Sequence, residues 1–308
     1  MIIRVLECVP NFSEGRDSAV VRAIADAIAQ TPGVLLLGSE CDIDHNRSVM
    51  TFAGPADAVI EGAVRGAGKA AELIDLSAHV GVHPRVGVAD VIPFIPLDGA
   101  NMEDAVAASH RAGEQIWRRY GVPVYFYEQS ARSPQRRRLE KVRKREFDGA
   151  PPDIGNIAAH PTAGASMVGA RGFLIAYNVF LKTRDAAVAQ TIARQIRESS
   201  GGFRYVKAMG LFLPSRDCAQ VSMNLTNFEK TPLHLVYEMI AAVAQELGTE
   251  AVCGEIIGFV PRRAYEMAPE FFQKAENFTE SRILETRIAE LGSVPRPAPP
   301  VRAGDNKN

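Results

Sequence analysis

Asp17-Ser-Ala-Val20-Val-Arg-Ala-Ile24-Ala-Asp-Ala-Ile28 is written a second time, in altered form, as Asp185-Ala-Ala-Val188-Ala-Gln-Thr-Ile192-Ala-Arg-Gln-Ile196. In each copy an aspartate stands where a helix N-cap belongs, and apolar residues follow at helical spacing. The copies share the cap and every position of the apolar stripe except Val21. Unrelated amphipathic helices often match this well, so the order of the surrounding elements decides more.

Before the first copy, Ile2 to Val9 reads as a strand stopped by Pro10-Asn11; after it, Pro32-Gly33 ends the helix and Val34 to Leu37 is a short apolar strand. A polar loop from Glu40 to Arg47 leads into a strand from Ser48 to Phe52. Pro55 then opens a helix reaching Ile74, and Val86 to Ile95 is a strand. Around the second copy lie a strand from Phe173 to Phe180, a helix from Thr183 to Ser199, strands from Tyr205 to Leu213 and Ala219 to Leu225, a helix from Pro232 to Leu247 and a strand from Ala251 to Val260. The order βαββαβ occurs twice, and Val91-Ile-Pro-Phe94-Ile-Pro96 echoes Ile256-Ile-Gly-Phe259-Val-Pro261. The reading is an α+β fold built from duplicated ferredoxin-like halves.

Between the halves run a helix from Met102 to Tyr120, a strand from Val122 to Tyr127, and an irregular stretch from 130 to 171. That stretch begins with Arg132, Arg136, Arg137, Arg138, Lys141, Arg143, Lys144 and Arg145 against the single Glu140. Such a run is ordinarily a solvated helix face, and a functional role requires an anionic ligand nearby. A last helix, Glu280 to Leu291, is expected to pack back on the second half, and Ser293 to Asn308 to be a disordered tail. The expected divisions are 1–178, 179–292 and 293–308.

The chain has 308 residues, 46% hydrophobic and 23% charged, enough for about two cores. A net charge of −1 gives no whole-molecule field that calls for nucleic acid or a membrane. No apolar stretch approaches the ~18 residues of a membrane span, and Arg4 and Glu7 interrupt any signal-peptide core. Cys8, Cys41, Cys218 and Cys253 are scattered without CxxC spacing and read as reduced thiols, which points to the cytoplasm.

Chemistry concentrates in His79-Val-Gly-Val-His83-Pro-Arg-Val-Gly-Val-Ala-Asp90. The two histidines have the spacing of a helical zinc pair, but Gly81 and Pro84 disfavour a helix and no glutamate stands between them, so no metal is expected. A loop histidine suits proton transfer, because imidazole titrates near neutral pH. The alternative is a histidine capping the carbonyls of the preceding helix. Glu40-Cys-Asp42-Ile-Asp44-His45-Asn46-Arg47 is either functional or a solvated turn; it lacks the glycine and terminal glutamate of a calcium loop. Nucleophile-elbow, P-loop and dinucleotide motifs are missing from the sequence.

Together with Glu7-Cys-Val-Pro-Asn11-Phe-Ser-Glu-Gly15, Asp44-His-Asn-Arg47-Ser-Val, Leu73-Ile-Asp75, His83-Pro-Arg85, Asp90-Val-Ile-Pro-Phe-Ile-Pro96, Pro161-Thr-Ala-Gly164-Ala and Val168-Gly-Ala-Arg171, the chain resembles the formiminotransferase family from about residue 3 to 290. That resemblance implies transfer of a formimino group from N-formimino-L-glutamate to tetrahydrofolate, the latter a co-substrate, in histidine degradation. It implies two ferredoxin-like subdomains with a substrate tunnel or cleft between them. The family's catalytic histidine falls on His83, and its folate loop on Gly155, Asn156, Ile157, Ala158, Ala159, His160, Pro161, Thr162, Ala163 and Gly164. An acidic residue that some relatives carry as Asp is Glu40 here; Asp42 or Asp44 are alternatives for its role beside His83. Bifunctional members continue into a cyclodeaminase domain before which this chain ends, so a separate cyclodeaminase is an expected partner.

If the resemblance holds, N5 of tetrahydrofolate attacks the formimino carbon and the glutamate amine leaves, with one imidazole moving both protons. Both substrates are polyanions, so Arg47, Arg85, Arg171 and Lys182, at element junctions, are expected to bind carboxylates. Exposed sheet edges suggest a homodimer. The competing readings are an enzyme acting on 5-formyltetrahydrofolate and a non-catalytic folate-binding homologue.

Overall fold

The computed structural model describes residues 4–81, 84–147, 151–156 and 159–292. The expected tail, 293–308, lies outside them. The first half comprises β1 (Val5–Cys8), the short β2 (Asn11–Phe12), α1 (Ser18–Ala29), β3 (Leu35–Asp42), β4 (Arg47–Pro55), α2 (Ala56–Leu73) and β5 (Ala89–Pro96). β1 runs antiparallel between β5 and β4, and β3 pairs the far side of β4, giving the order β5-β1-β4-β3. β2 also pairs both β4 and β5, so β1 and β2 are two pieces of one line broken at Val9-Pro10. Proline has no N–H to give a ladder, which accounts for the break.

The sheet then grows at the β5 side. After α3 (Met102–Tyr120), β6 (Val124–Glu128) and α4 (Leu139–Phe147), β7 (Ser166–Ala170) slots between β5 and β6 and is parallel to both. The stretch read from sequence as irregular therefore contains a strand, and Val168-Gly-Ala lies on it. Asn101 and Asp104 form a reciprocal capping box at the start of α3, and Gly121, at φ +66°, ends it.

The second half is β8 (Ile175–Leu181), α5 (Ala186–Ile196), β9 (Val206–Leu213), β10 (Cys218–Leu225), α6 (Leu233–Glu246) and β11 (Ala251–Ile257). Its sheet has the order β11-β8-β10-β9, again fourth, first, third, second, with antiparallel neighbours. Among the described residues β8 (Ile175–Leu181) pairs only within this sheet, so a division at residue 178 cuts a strand. α7 (Arg262–Met267), α8 (Pro269–Gln273) and α9 (Leu284–Gly292) follow.

Asp17 Oδ1 accepts the amides of Ala19 and Val20 at 2.8 and 3.2 Å, and Asp185 Oδ1 accepts that of Ala187 at 2.8 Å. The buried residues of α1 are Val21, Ile24, Ala25 and Ile28; those of α5 are Ala189, Ile192, Ala193 and Ile196, the same positions of the repeat. Val21, the mismatch in the sequence comparison, is buried like its counterpart Ala189, while Val20 and Val188 sit at the margin. The hairpins match as well: β3–β4 turns through residues 43–46 with Asn46 at φ +47°, and β9–β10 through 214–217 with Asp217 at φ +52°. Asn and Asp tolerate this left-handed conformation better than other non-glycine residues. Glu40, Cys41 and Asp42, expected in a loop, are on β3 opposite Val49, Ser48 and Arg47.

Each half buries its own core between helices and sheet, with Ile24, Ile28, Phe52, Ile60 and Phe94 in the first and Tyr177, Ile192, Ile240 and Ile256 in the second. Each fully buried large aliphatic or phenyl side chain contributes about 1.5–3 kcal/mol. α9 corrects another expectation. Rather than returning only to the second half, it sets Leu284 against Leu37 and Ala53 of the first sheet, and Arg287 Nε donates to Leu37 O at 2.9 Å. Glu40 adds to this seam by accepting the Gly258 amide at 2.7 Å and pairing with Arg282. Ser215 Oγ donates to Asp44 Oδ2 at 2.6 Å, joining the two hairpins. Among the described residues no helix is long and apolar enough to cross a membrane, and no cluster of His, Cys, Asp and Glu has the makings of a metal site.

Candidate active site

The join between α2 and β5 is held at both ends. Asp75 caps a short 3-10 turn by accepting the Ser77 amide at 2.9 Å, and the Leu76 amide donates to Thr162 O at 2.8 Å. His79 Nε2 lies 3.1 Å from Asn46 O and so carries its proton on that nitrogen, while Asn46 Nδ2 donates to Val80 O at 3.0 Å. A Cβ on Gly81 would collide with the carbonyl of His45, so the chain here lies flush on the β3–β4 hairpin. Arg85 donates back to Gly81 O. His83 and Val82 lie outside the described residues.

At the far end, the Val86 amide donates to Asp90 Oδ1 at 2.9 Å. Asp90 is fully buried, and its Oδ2 receives Arg47 Nη1 at 2.7 Å and Arg143 Nη2 at 2.6 Å. Burial pushes the Asp90 carboxyl up, but Arg47 and Arg143 together hold it below the usual carboxylate range. Arg47 Nε also donates to Asn11 Oδ1 at 3.1 Å, so this side chain is committed to the interior.

A second loop closes on the first. His160 and Gly164 exchange backbone hydrogen bonds of 2.9 and 3.0 Å, and His160 Nδ1 accepts the Ala163 amide at 3.0 Å. An accepting Nδ1 leaves the proton of the neutral ring on Nε2. Gly164 has φ +66°, and a Cβ there would strike Val86 O; Gly87 in turn leaves no room for a side chain against Ala165 O. The two loops thus meet backbone to backbone only because glycine stands at both places.

Between them is a cavity of about 440 Å³, within the range of small-molecule sites. Its walls include Ser77 just before the histidine stretch and Val86 within it, Tyr125 from β6, and His160, Pro161 and Gly164 from the second loop. Of the residues expected to contact folate, Ala159 also lines it. Ala163 is buried behind the turn and Thr162 gives its carbonyl to Leu76. Gly155, at φ +105°, packs on Trp117, and Asn156 is exposed; Ile157 and Ala158 lie outside the described residues.

Glu40, Arg47, Arg85, Arg171 and Lys182 are not among the described residues that line the cavity. Glu40 is occupied by Arg282 and the Gly258 amide, and Lys182 is exposed and pairs with Glu250 at 3.2 Å on the second sheet. Arg171, whose Nη1 donates to Gly172 O at 2.9 Å, acts electrostatically on Glu7 and Glu128. Two charged residues were missed from sequence. Arg143 was hidden in a basic run, and Glu7, 5% exposed on β1, was not singled out for chemistry although a carboxylate amid an apolar strand is a visible anomaly. Burial pushes the Glu7 carboxyl up to about 7 against the pull of Arg171, with Glu285 reinforcing the rise.

Residues 5–171 match the model of the formiminotransferase domain, N-terminal subdomain, and 176–294 that of the formiminotransferase domain. A glutamate formimidoyltransferase of Streptococcus pyogenes serotype M1 is 40% identical, over 92% of this chain and 99% of its own. One from Thermoplasma acidophilum is also 40% identical, over 94% and 99%. The formimidoyltransferase-cyclodeaminase of Gallus gallus is 42% identical over 89% of this chain and 53% of its own length.

Proposed function

The chain belongs to the formiminotransferase family, and from that premise we propose how its residues carry out the reaction. It is an enzyme that transfers the formimino group of N-formimino-L-glutamate to tetrahydrofolate, yielding 5-formiminotetrahydrofolate and L-glutamate in histidine degradation. N5 of the folate adds to the formimino carbon, and the tetrahedral intermediate collapses by expelling the glutamate amine. One proton leaves N5 and one reaches the departing nitrogen.

His83 is the side chain that moves both, a role worth about 10²–10⁴-fold in rate. The observation that carries this reading is the 440 Å³ cavity, since Ser77 before His83 and Val86 after it both line its wall opposite His160 and Pro161. The 155–164 loop receives the folate, supported by the same lining. Arg85, beside Asp90 in the stretch that includes His83, and Arg171 supply positive charge for carboxylates. The bonds of Glu40 to Arg282 and Gly258 support a role in holding the halves together rather than in proton transfer.

The common strand order, N-cap and hairpin conformation support duplicated ferredoxin-like subdomains divided before Ile175, and the described lining of the cavity, from Leu76 to Ala165, comes from the first of them. Free cysteines fit a cytoplasmic setting, and the edge strand β11, with Val252 60% exposed, fits pairing into a homodimer. The double name of the chicken relative supports a cyclodeaminase as functional partner. Supplying formiminoglutamate with tetrahydrofolate, and 5-formyltetrahydrofolate with L-glutamate as acceptor, separates the donors. Product absorbance is expected only with formiminoglutamate, and its absence there contradicts the reading.

A further inference from the structure

The basic run from Arg132 to Arg145 is a sequence feature that the reaction leaves unused. Most of its described side chains are surface groups: Arg132, Arg137, Arg138 and Lys141 are exposed. Arg143 departs from them. Its side chain is 17% exposed and reaches inward from α4 to Asp90. Its neighbour Val142, fully buried, packs in one apolar cluster with Val86, Tyr125 and Ala165, all of which line the cavity. α4 therefore backs the cavity wall, and Arg143, next to Val142 and not itself among the described lining residues, bonds the buried carboxylate.

Charge around this carboxylate does not balance. Asp90 Oδ2 takes a hydrogen bond from Arg47 and another from Arg143, two positive charges on one buried carboxylate; Arg85, which also acts on Arg47, is partly exposed and adds little to this imbalance. Excess positive charge held away from water is costly unless an anion accompanies it. Donor capacity is unevenly used as well. Arg47 Nε is bound by Asn11, whereas Arg143 Nε is buried without a hydrogen-bond partner among the described residues. A guanidinium has five N–H groups in a fixed fork suited to carboxylates, so the bond to Asp90 orients Arg143 without exhausting it.

We propose that Arg143 is a specificity-determining residue that binds a carboxylate of the glutamate moiety, a group both substrates carry; this rests on the formimino-transfer reading. Asp90 is then a positioning residue, holding Arg143 on one side and, through the Val86 amide, the cavity wall on the other. The incoming carboxylate supplies the missing negative charge.

The test is steady-state kinetics on Arg143→Ala and Arg143→Lys, with calorimetric binding of L-glutamate and of tetrahydrofolate. Loss of a charge-assisted bond should raise KM at least about tenfold for the substrate whose carboxylate is held, with a smaller change in kcat. Lysine, which keeps the charge but not the fork, should fall between wild type and alanine. A rise confined to formiminoglutamate and L-glutamate assigns the donor's carboxylate; a rise confined to tetrahydrofolate assigns the folate's. Unchanged KM and affinity for both, or a fall in kcat that follows only the thermal midpoint, overturns the proposal. Wild type that transfers no formimino group yet binds L-glutamate in an Arg143-dependent way sinks the reaction and spares the inference. Normal transfer without Arg143 dependence does the reverse.

Discussion

Glu7 shows how much one buried carboxyl controls. Its folded pKa, about 7, lies above the ordinary 4.5. A raised carboxyl pKa means that the folded state holds the proton more tightly, so the associated stability is complete below about pH 4.5 and drains away as pH climbs through 7. By that sign, Glu7→Gln should flatten the decline in thermal midpoint between about pH 5 and pH 8, removing roughly 3 kcal/mol of pH dependence. An identical decline in the two proteins would place the ionisation elsewhere. Sequence could flag Glu7 as a charge inside an apolar strand, but not that full burial would raise its carboxyl, nor that Arg171 and Glu285, remote in the chain, would oppose and reinforce that rise. Arg143 was equally illegible, because nothing local distinguishes it from the exposed arginines around it.

At the scale of elements, the duplicated helices make a paired prediction. Asp17→Ala and Asp185→Ala should each cost about 1 kcal/mol in urea unfolding. Asp17 should be the more sensitive, since it satisfies two amides and Asp185 one. No effect at either site would remove the capping argument from the repeat. These helices and the order of strands around them were readable because period and caps are local signals. β7 was not: Ser-Met-Val-Gly-Ala is short, and it becomes a strand only by lying parallel between β5 and β6. β3 ran further than expected because its polar end is an edge strand whose side chains meet the other half, where Glu40 and Asp42 break the apolar pattern without breaking the ladder.

For the whole molecule, the seam between the halves is the testable unit. If Glu40 and Arg282 hold it, Glu40→Gln and Arg282→Ala should each lower the thermal midpoint, with a coupling of about 1 kcal/mol in the double variant and kcat kept within about twofold. A collapse of kcat at unchanged stability would return Glu40 to the chemistry. The larger question is whether formimino transfer runs through the cavity between the histidine stretch and the His160–Gly164 turn. The direct measurement is single-turnover transfer from formiminoglutamate to tetrahydrofolate by wild type and His83→Ala, with tetrahydrofolate binding measured on both. The expected result is a rate lower by about 10²–10⁴-fold in the variant with folate binding retained; a variant that transfers at the wild-type rate would contradict it.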